Sequence, residues 1–295
     1  MYDNYSGVAS ELFKAIQYNN LKKVKALFEE DDYENTKCDL LGYTPLMAAC
    51  KLALFSENST LINYLIEESN IYDVDSEGST PLMELVLNNK EMCIRKILEY
   101  YGNEIDYINN QGETALHIAI NQRNPIIVRL LLKNEAETEI KNKAGNTALM
   151  MAVLYNETDI AKQLLESYAD GDKLFLNGDS MIAVAAKNKN FDIVKYLIKS
   201  EADVDGKDIN GSTAIIYASK FNNHDIVQLL IKEGANIDIE DKEGHSALSY
   251  AVLNGNTNII KLLIKNEVSY RLTKIAKLCN LSENSSLYAF LEDNE

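Results

Sequence analysis

Tryptophan is missing from this sequence, and proline, histidine and cysteine number only three, three and four in 295 residues. Each scarcity excludes something. Cys38, Cys50, Cys93 and Cys279 lie far apart and form no CxxC pair, which argues against a disulfide framework and against zinc-ligand spacing. Three histidines, His117, His224 and His245, leave little material for nucleophilic or metal-dependent catalysis. No Gly-rich phosphate loop, HExxH, GxSxG or kinase signature occurs. The expectation is a protein that is not an enzyme, with no catalytic residues, no cofactor and no metal. The N-terminal stretch MYDNYSGVASELF carries Asp3 and no basic cluster, and no apolar run reaches bilayer length. A cytoplasmic, reducing location without membrane insertion is expected, and delivery into a host cell stays compatible with it.

Positive charge is also short. Forty-five Asp and Glu against 29 Lys and Arg give a formal net charge of −16, which repels phosphate backbones and anionic headgroups and attracts basic surfaces. That argues against nucleic acid and toward a protein partner with basic character. The apolar content of 46% runs through the chain with no Pro- or Gly-rich seam, as in one extended monomeric body.

What the sequence does contain is a repeat. A Gly followed two residues later by Thr or Ser opens an apolar segment at Gly42, Gly78, Gly112, Gly145, Gly178, Gly211 and Gly244. Apolar pairs keep the same step: Leu65-Ile66, Ile97-Leu98, Leu131-Leu132, Leu164-Leu165, Leu197-Ile198, Leu230-Ile231 and Leu263-Ile264. Two markers in one register define a unit. In the third unit Gly112 suits a turn with positive φ, Thr114 can cap a first helix, and Leu116, Ala119 and Ile120 recur at helical spacing. Pro125 suits the start of a second helix whose apolar face is Ile127, Val128, Leu131 and Leu132. One such pair cannot bury both faces, so neighbours must stack.

Thr114-Ala115-Leu116-His117-Ile118-Ala119 resembles the TPLHxA signature of ankyrin repeats. Thr44-Pro45-Leu46, Thr80-Pro81-Leu82 and the tails Glu201-Ala202-Asp203-Val204-Asp205 and Gly234-Ala235-Asn236-Ile237-Asp238 are similar to that family as well. The resemblance covers roughly residues 8 to 270. It implies an all-α solenoid of helix-turn-helix units with β-hairpin loops, about seven hairpin-led repeats between helical caps. The expected organisation is a capping helix pair and linker over 1–38, seven repeats over 39–270 and a degenerate helical cap over 271–295. A short recognition helix is the alternative for that tail.

Three departures stand out. Four extra residues lie in the first unit around Leu54-Phe55-Ser56. The fifth unit, GDSMIAVAAKNKN, loses the signature Pro and His and follows an irregular tail, which marks a soft spot or bend. The signature His survives only at 117, where it would bond backbone or Thr114. Met47, Met83, Met150, Ala183, Ile216 and Ser249 replace it elsewhere.

The resemblance further implies that the hairpin tips and the open side of the first helices contact a protein. Carried onto this chain, the tip positions are Tyr43, Glu77, Ser79, Gln111, Glu113, Asn146, Asn177, Asp179, Asn210, Ser212, Glu243 and His245, with the apolar Leu40 and Leu41 at the first tip. Tyr155 and Phe221 follow first-helix apolar runs and are either aromatic anchors or packing residues. The implied function is a protein-binding scaffold or adaptor. A regulatory or inhibitory enzyme subunit and a host-directed effector are the alternatives.

Overall fold

The computed structural model describes residues 8–30, 42–52, 59–100, 104–266, 268–282 and 285–294. Leu40, Leu41 and the loop around Phe55 lie outside the described residues. The chain divides into two compact units, Met1–Ala148 and Leu149–Glu295.

In the first, α1 (Val8–Gln17) and α2 (Leu21–Glu30) form a helix pair. They are followed by α3 (Pro45–Leu52) and α4 (Ser59–Glu68), α5 (Pro81–Leu87) and α6 (Glu91–Leu98), and α7 (Ala115–Asn121) and α8 (Pro125–Lys133). The helices α1, α3, α5 and α7 pack in sequence, and α4 packs on α6. The second unit holds α9 (Ala148–Leu154) from its second residue onward, and α10 (Thr158–Glu166). Then come α11 (Met181–Lys187) and α12 (Phe191–Lys199), α13 (Ala214–Lys220) and α14 (His224–Lys232), and α15 (Ala247–Leu253) and α16 (Thr257–Lys265). Here α11, α13 and α15 stack on one side and α10, α12, α14 and α16 on the other. The tail forms α17 (Leu272–Leu278) and α18 (Ser286–Glu292).

Local chemistry explains the boundaries. Thr80, Thr114, Ser180 and Ser246 each accept a backbone N–H three residues on, the hydroxyl taking one of the amides that a helix start leaves unpaired. Four second helices start on asparagine, with Asn124, Asn190, Asn223 and Asn256 capping α8, α12, α14 and α16, whereas α6 and α10 start on Lys90 and Glu157 without a side-chain cap bond. Three of the asparagine caps also bond the turn of the preceding pair, Asn124 Nδ2 to Asn89 Oδ1 at 2.8 Å, Asn190 Nδ2 to Asn156 Oδ1 at 2.7 Å and Asn256 Nδ2 to Asn222 Oδ1 at 3.2 Å.

The first member of each apolar pair, from Leu65 to Leu263, is fully buried. Ala119, Ala152, Ala185, Ala218 and Ala251 are buried too, and their small size lets facing helices approach. The residues that replace the signature histidine are all buried and fill core volume. Ser249 also takes over part of the histidine's bonding: Ser246 N–H donates to its Oγ at 3.3 Å. In the tail Leu272, Ile275 and Leu291 are buried, and Tyr270 OH donates to the Leu291 carbonyl at 2.7 Å.

The expected β-hairpins shrink. No strand forms among the described residues, and the hairpin character is reduced to isolated bridges between Leu174 and Ser180 and between Glu240 and Ser246. The turns from Asp75–Ser79 to Asp241–His245 each close over five residues, which leaves no length for a ladder.

Candidate functional site

Five of the tips are built around an Asp or Asn three residues before the Gly. Asp75 Oδ1 accepts N–H from Glu77 and Ser79, both at 2.8 Å. Asn109, Asn142, Asp208 and Asp241 repeat the arrangement at their own tips. This is an Asx turn, in which a short side chain mimics a backbone acceptor and fixes the loop. The backbone closes the same turn, for example Asp75 N–H to the Ser79 carbonyl and Gly78 N–H to the Asp75 carbonyl, both 3.1 Å. Neighbouring tips are then joined: Asn110 N–H reaches the Glu77 carbonyl at 2.7 Å, Lys143 N–H that of Gln111 at 2.9 Å, and Lys242 N–H that of Asn210 at 2.8 Å.

The fifth tip differs because Phe175 stands where the others carry Asp or Asn. Phe175 is buried, the backbone turn survives, and the side-chain acceptor is lost. Asp179 N–H bonds Asn177 Oδ1 at 3.2 Å instead, and Ile209 N–H reaches only Asp179 Oδ1, at 3.5 Å. The irregularity that the sequence showed here has this physical content.

The turn sorts the tip positions by direction. Glu77, Gln111, Asn177, Asn210 and Glu243, immediately before the Gly, are exposed. The residue immediately after the Gly faces inward. Tyr43, Ser79 and Ser212 are buried there, so the structure removes these three from any surface a partner could reach, while Glu113, Asn146, Asp179 and His245 are half-buried. At Ser79, Glu113, Asn146, Ser212 and His245 the turn holds that residue by both backbone groups: its N–H goes to the Asx oxygen and its carbonyl accepts the Asx residue's own N–H.

Beneath the tips, Lys51 Nζ donates to Tyr43 OH at 2.7 Å and lies 4.3 Å from the centre of that ring. The neighbouring Glu84 is buried, and burial pushes its carboxyl above the usual range despite the opposing Lys51 charge. On α13 and α15, Tyr217 OH donates to Asp208 Oδ2 at 2.6 Å and Tyr250 OH to Asp241 Oδ2 at 2.9 Å. Phe221 stacks on Tyr217 with ring centres 6.1 Å apart and is half-buried, whereas Tyr155 is exposed.

One row escaped the sequence reading. The residue nine positions after each Gly is exposed; it ends α5, α7, α9, α11, α13 and α15 and stands one residue before the end of α3. In residues 1–148 the row is Lys51, Leu87 and Asn121; in residues 149–295 it is Leu154, Lys187, Lys220 and Leu253. Leu87, Leu154 and Leu253 keep 49%, 45% and 48% of their surface exposed. The signal was available: a register position that alternates Leu with Lys and Asn is not core.

Little here supports chemistry. His117 Nδ1 lies 3.2 Å from Thr114 N and 2.9 Å from Thr114 Oγ1, while Nε2 faces the Asn146 carbonyl at 3.3 Å. It clamps its own cap to the next tip. His224 begins α14, exposed, and His245 tilts over Tyr250 with ring centres 5.1 Å apart. Cys50, Cys93 and Cys279 are free thiols, and burial raises each above its ordinary value, away from reactive thiolate. Among the described residues no group of three or more His, Cys, Asp or Glu is placed to hold a metal. Nor is any described helix long and apolar enough to cross a membrane.

Comparison with known proteins agrees with this geometry. The family model described as ankyrin repeats (3 copies) matches residues 12–109, 85–174 and 178–274. No curated protein matches the sequence. Among solved structures, the chain is similar to the ankyrin repeat domain of Bcl-3, described as a unique member of the IkappaB protein family. The TM-score is 0.64 and the identity 25%, over 75% of this chain and 98% of that one.

Proposed function

The chain belongs to the ankyrin-repeat family, and we propose that it is a non-catalytic scaffold or adaptor that binds a protein through its tips and the exposed ends of its first helices. Ankyrin repeats are in general protein–protein interaction modules. The observation that carries the proposal here is that one repeat position carries half-exposed leucines in each unit, Leu87 in residues 1–148 and Leu154 and Leu253 in residues 149–295. Solvent-facing apolar side chains that recur in register mark a surface made to be covered. The turns below hold the backbone fixed, so the exposed positions before each Gly, such as Gln111 and Asn210, are free to differ from unit to unit. A reducing, cytoplasmic setting fits the free thiols.

Photo-crosslinking tests this. A benzophenone amino acid at Gln111, Asn210 or Leu253 is expected to give discrete protein adducts in extract from the native source. The same group at Arg129 or Lys261, exposed on second helices, is expected to give none. Adducts from the second-helix positions alone would reject the surface.

A further inference from the structure

In residues 149–295 the exposed row has a charge pattern opposite in sign to the chain as a whole: Leu154, Lys187, Lys220, Leu253. Its members are neighbours. Asn188 Nδ2 bonds the Val153 carbonyl at 3.2 Å, and Asn254 Nδ2 bonds the Lys220 carbonyl at 2.8 Å, tying successive helix ends together. Each lysine also leans over an aromatic ring of the next unit. Lys187 Nζ lies 5.7 Å from the centre of the Tyr217 ring and Lys220 Nζ 4.6 Å from that of Tyr250. A ring face attracts an ammonium and limits its rotamers while leaving N–H donors toward solvent. Among the described residues neither lysine has a carboxylate within ion-pair distance. Of the acids whose charge acts on those two rings, Asp208 and Asp241 are buried and held by tyrosine hydroxyls and turn amides, while Asp179 and Glu243 stand at the tips. The row therefore offers two preoriented cations between two apolar ends.

We infer that this row docks an acidic protein segment in polyproline II conformation, with two carboxylates on Lys187 and Lys220 and an apolar side chain against each of Leu154 and Leu253. The inference rests on the protein-binding function proposed above and names the chemistry of the partner. The spacing follows from general geometry. Packed helices stand about 8–10 Å apart. Polyproline II rises about 3.1 Å per residue with three residues per turn, so every third side chain shares one face and advances roughly 9.3 Å. The matching segment carries an apolar residue, then an acid, another acid and a second apolar residue, each three positions after the last. A nucleic acid fits less well, because the net charge of −16 opposes a long polyanion and the leucine ends meet no phosphate.

The probe is a labelled synthetic peptide of ten residues with Leu at the first and tenth positions, Glu at the fourth and seventh, and Ser and Pro elsewhere. Fluorescence anisotropy with the full chain is expected to show saturable binding tighter than about 1 mM. The K187E/K220E chain should bind at least tenfold more weakly with an unchanged circular dichroism spectrum and melt. A peptide with Lys in place of both Glu should recover binding to that variant. Absence of saturable binding, or charge reversal without effect, overturns the inference. Competition by oligouridylate at concentrations equal to the peptide's would overturn it in favour of a nucleic-acid surface. A chain that crosslinks proteins at its tips yet fails the peptide assay overturns this inference alone, whereas absence of adducts at every exposed position overturns the broader function.

Discussion

Tyr217 and Asp208 lock a tip to the helix that follows it: the phenol donates to Asp208 Oδ2 at 2.6 Å while Oδ1 of the same carboxylate receives Ser212 N–H at 2.7 Å. Tyr217→Phe keeps the ring stacked on Phe221 and strips a buried carboxylate oxygen of its donor. The expected cost is about 1–3 kcal/mol. At roughly 2–4 °C per kcal/mol for a chain of this size, the thermal midpoint should drop measurably. An unchanged midpoint would show that the bond contributes nothing to stability.

The same two tyrosines set an alkaline limit. Burial, reinforced by the bond to the aspartate, pushes the phenols of Tyr217 and Tyr250 well above their ordinary value of about 10. The native state favours the protonated phenol. Its contribution is therefore complete below the unfolded value and is lost as pH rises through it toward the native one. Denaturant titrations near pH 8 and pH 11 should show a loss of stability at the higher pH that is smaller in the Tyr217→Phe/Tyr250→Phe chain. Equal losses in both chains would assign the effect to other groups.

Two glycines at equivalent positions should respond unequally to alanine. Gly112 and Gly178 both adopt positive φ, +72° and +82°, so each substitution costs about 1–2 kcal/mol for a left-handed side chain. At Gly112 the new Cβ would also sit 3.0 Å from Lys143 N, whose N–H bonds the Gln111 carbonyl, whereas at Gly178 nothing lies within 4 Å. Gly112→Ala should melt below Gly178→Ala. Identical melts would show that tip-to-tip contact adds no stability.

These positions also show how much was readable beforehand. Gly at a fixed step and the apolar pairs from Leu65 to Leu263 announced stacked helix pairs, because a repeat states the same packing problem seven times. The fifth tip was legible too, since Phe175 visibly breaks the run of Asp and Asn three residues before each Gly. The direction of the tip side chains was not. Nothing in Ser79 or Ser212 says that an Asx turn holds the residue after the Gly inward. Leu87, Leu154 and Leu253 read as a continuation of the core until the lysines in the same register are set beside them.

The fifth tip should be the soft one in solution. Glu113 N–H and Gln111 N–H are held by Asn109 Oδ1 at 2.8 and 2.9 Å, while the fifth tip lacks that acceptor and meets the sixth through the 3.5 Å contact of Ile209 N–H with Asp179 Oδ1 in place of a backbone bond such as that of Lys143 N–H to the Gln111 carbonyl. Amides of residues 176–179 should exchange with deuterium faster than those of 110–113 under native conditions. Equal protection would mean that Phe175 packing restores what the missing acceptor removes.

His117 sets an acid limit of opposite sign. With Thr114 N–H donating to Nδ1, the neutral ring carries its proton on Nε2 and gives it to the Asn146 carbonyl. A second proton would place a hydrogen on Nδ1 against the Thr114 amide, and burial already lowers the pKa. The unfolded chain thus takes up the proton first. The stabilisation is present above the ordinary value of about 6.5 and fades as pH falls through it toward the native value. Glu84 and Asp106, whose carboxyls burial raises, gain stability on the same acid descent, so the comparison must isolate the imidazole. His117→Met does this, because Met47, Met83 and Met150 already fill the equivalent site in full burial. Between about pH 7 and pH 5 the wild type should lose more stability than the methionine variant, and the His117 ring proton should titrate below 6.5 by NMR. Parallel losses in the two chains would remove His117 from the acid response.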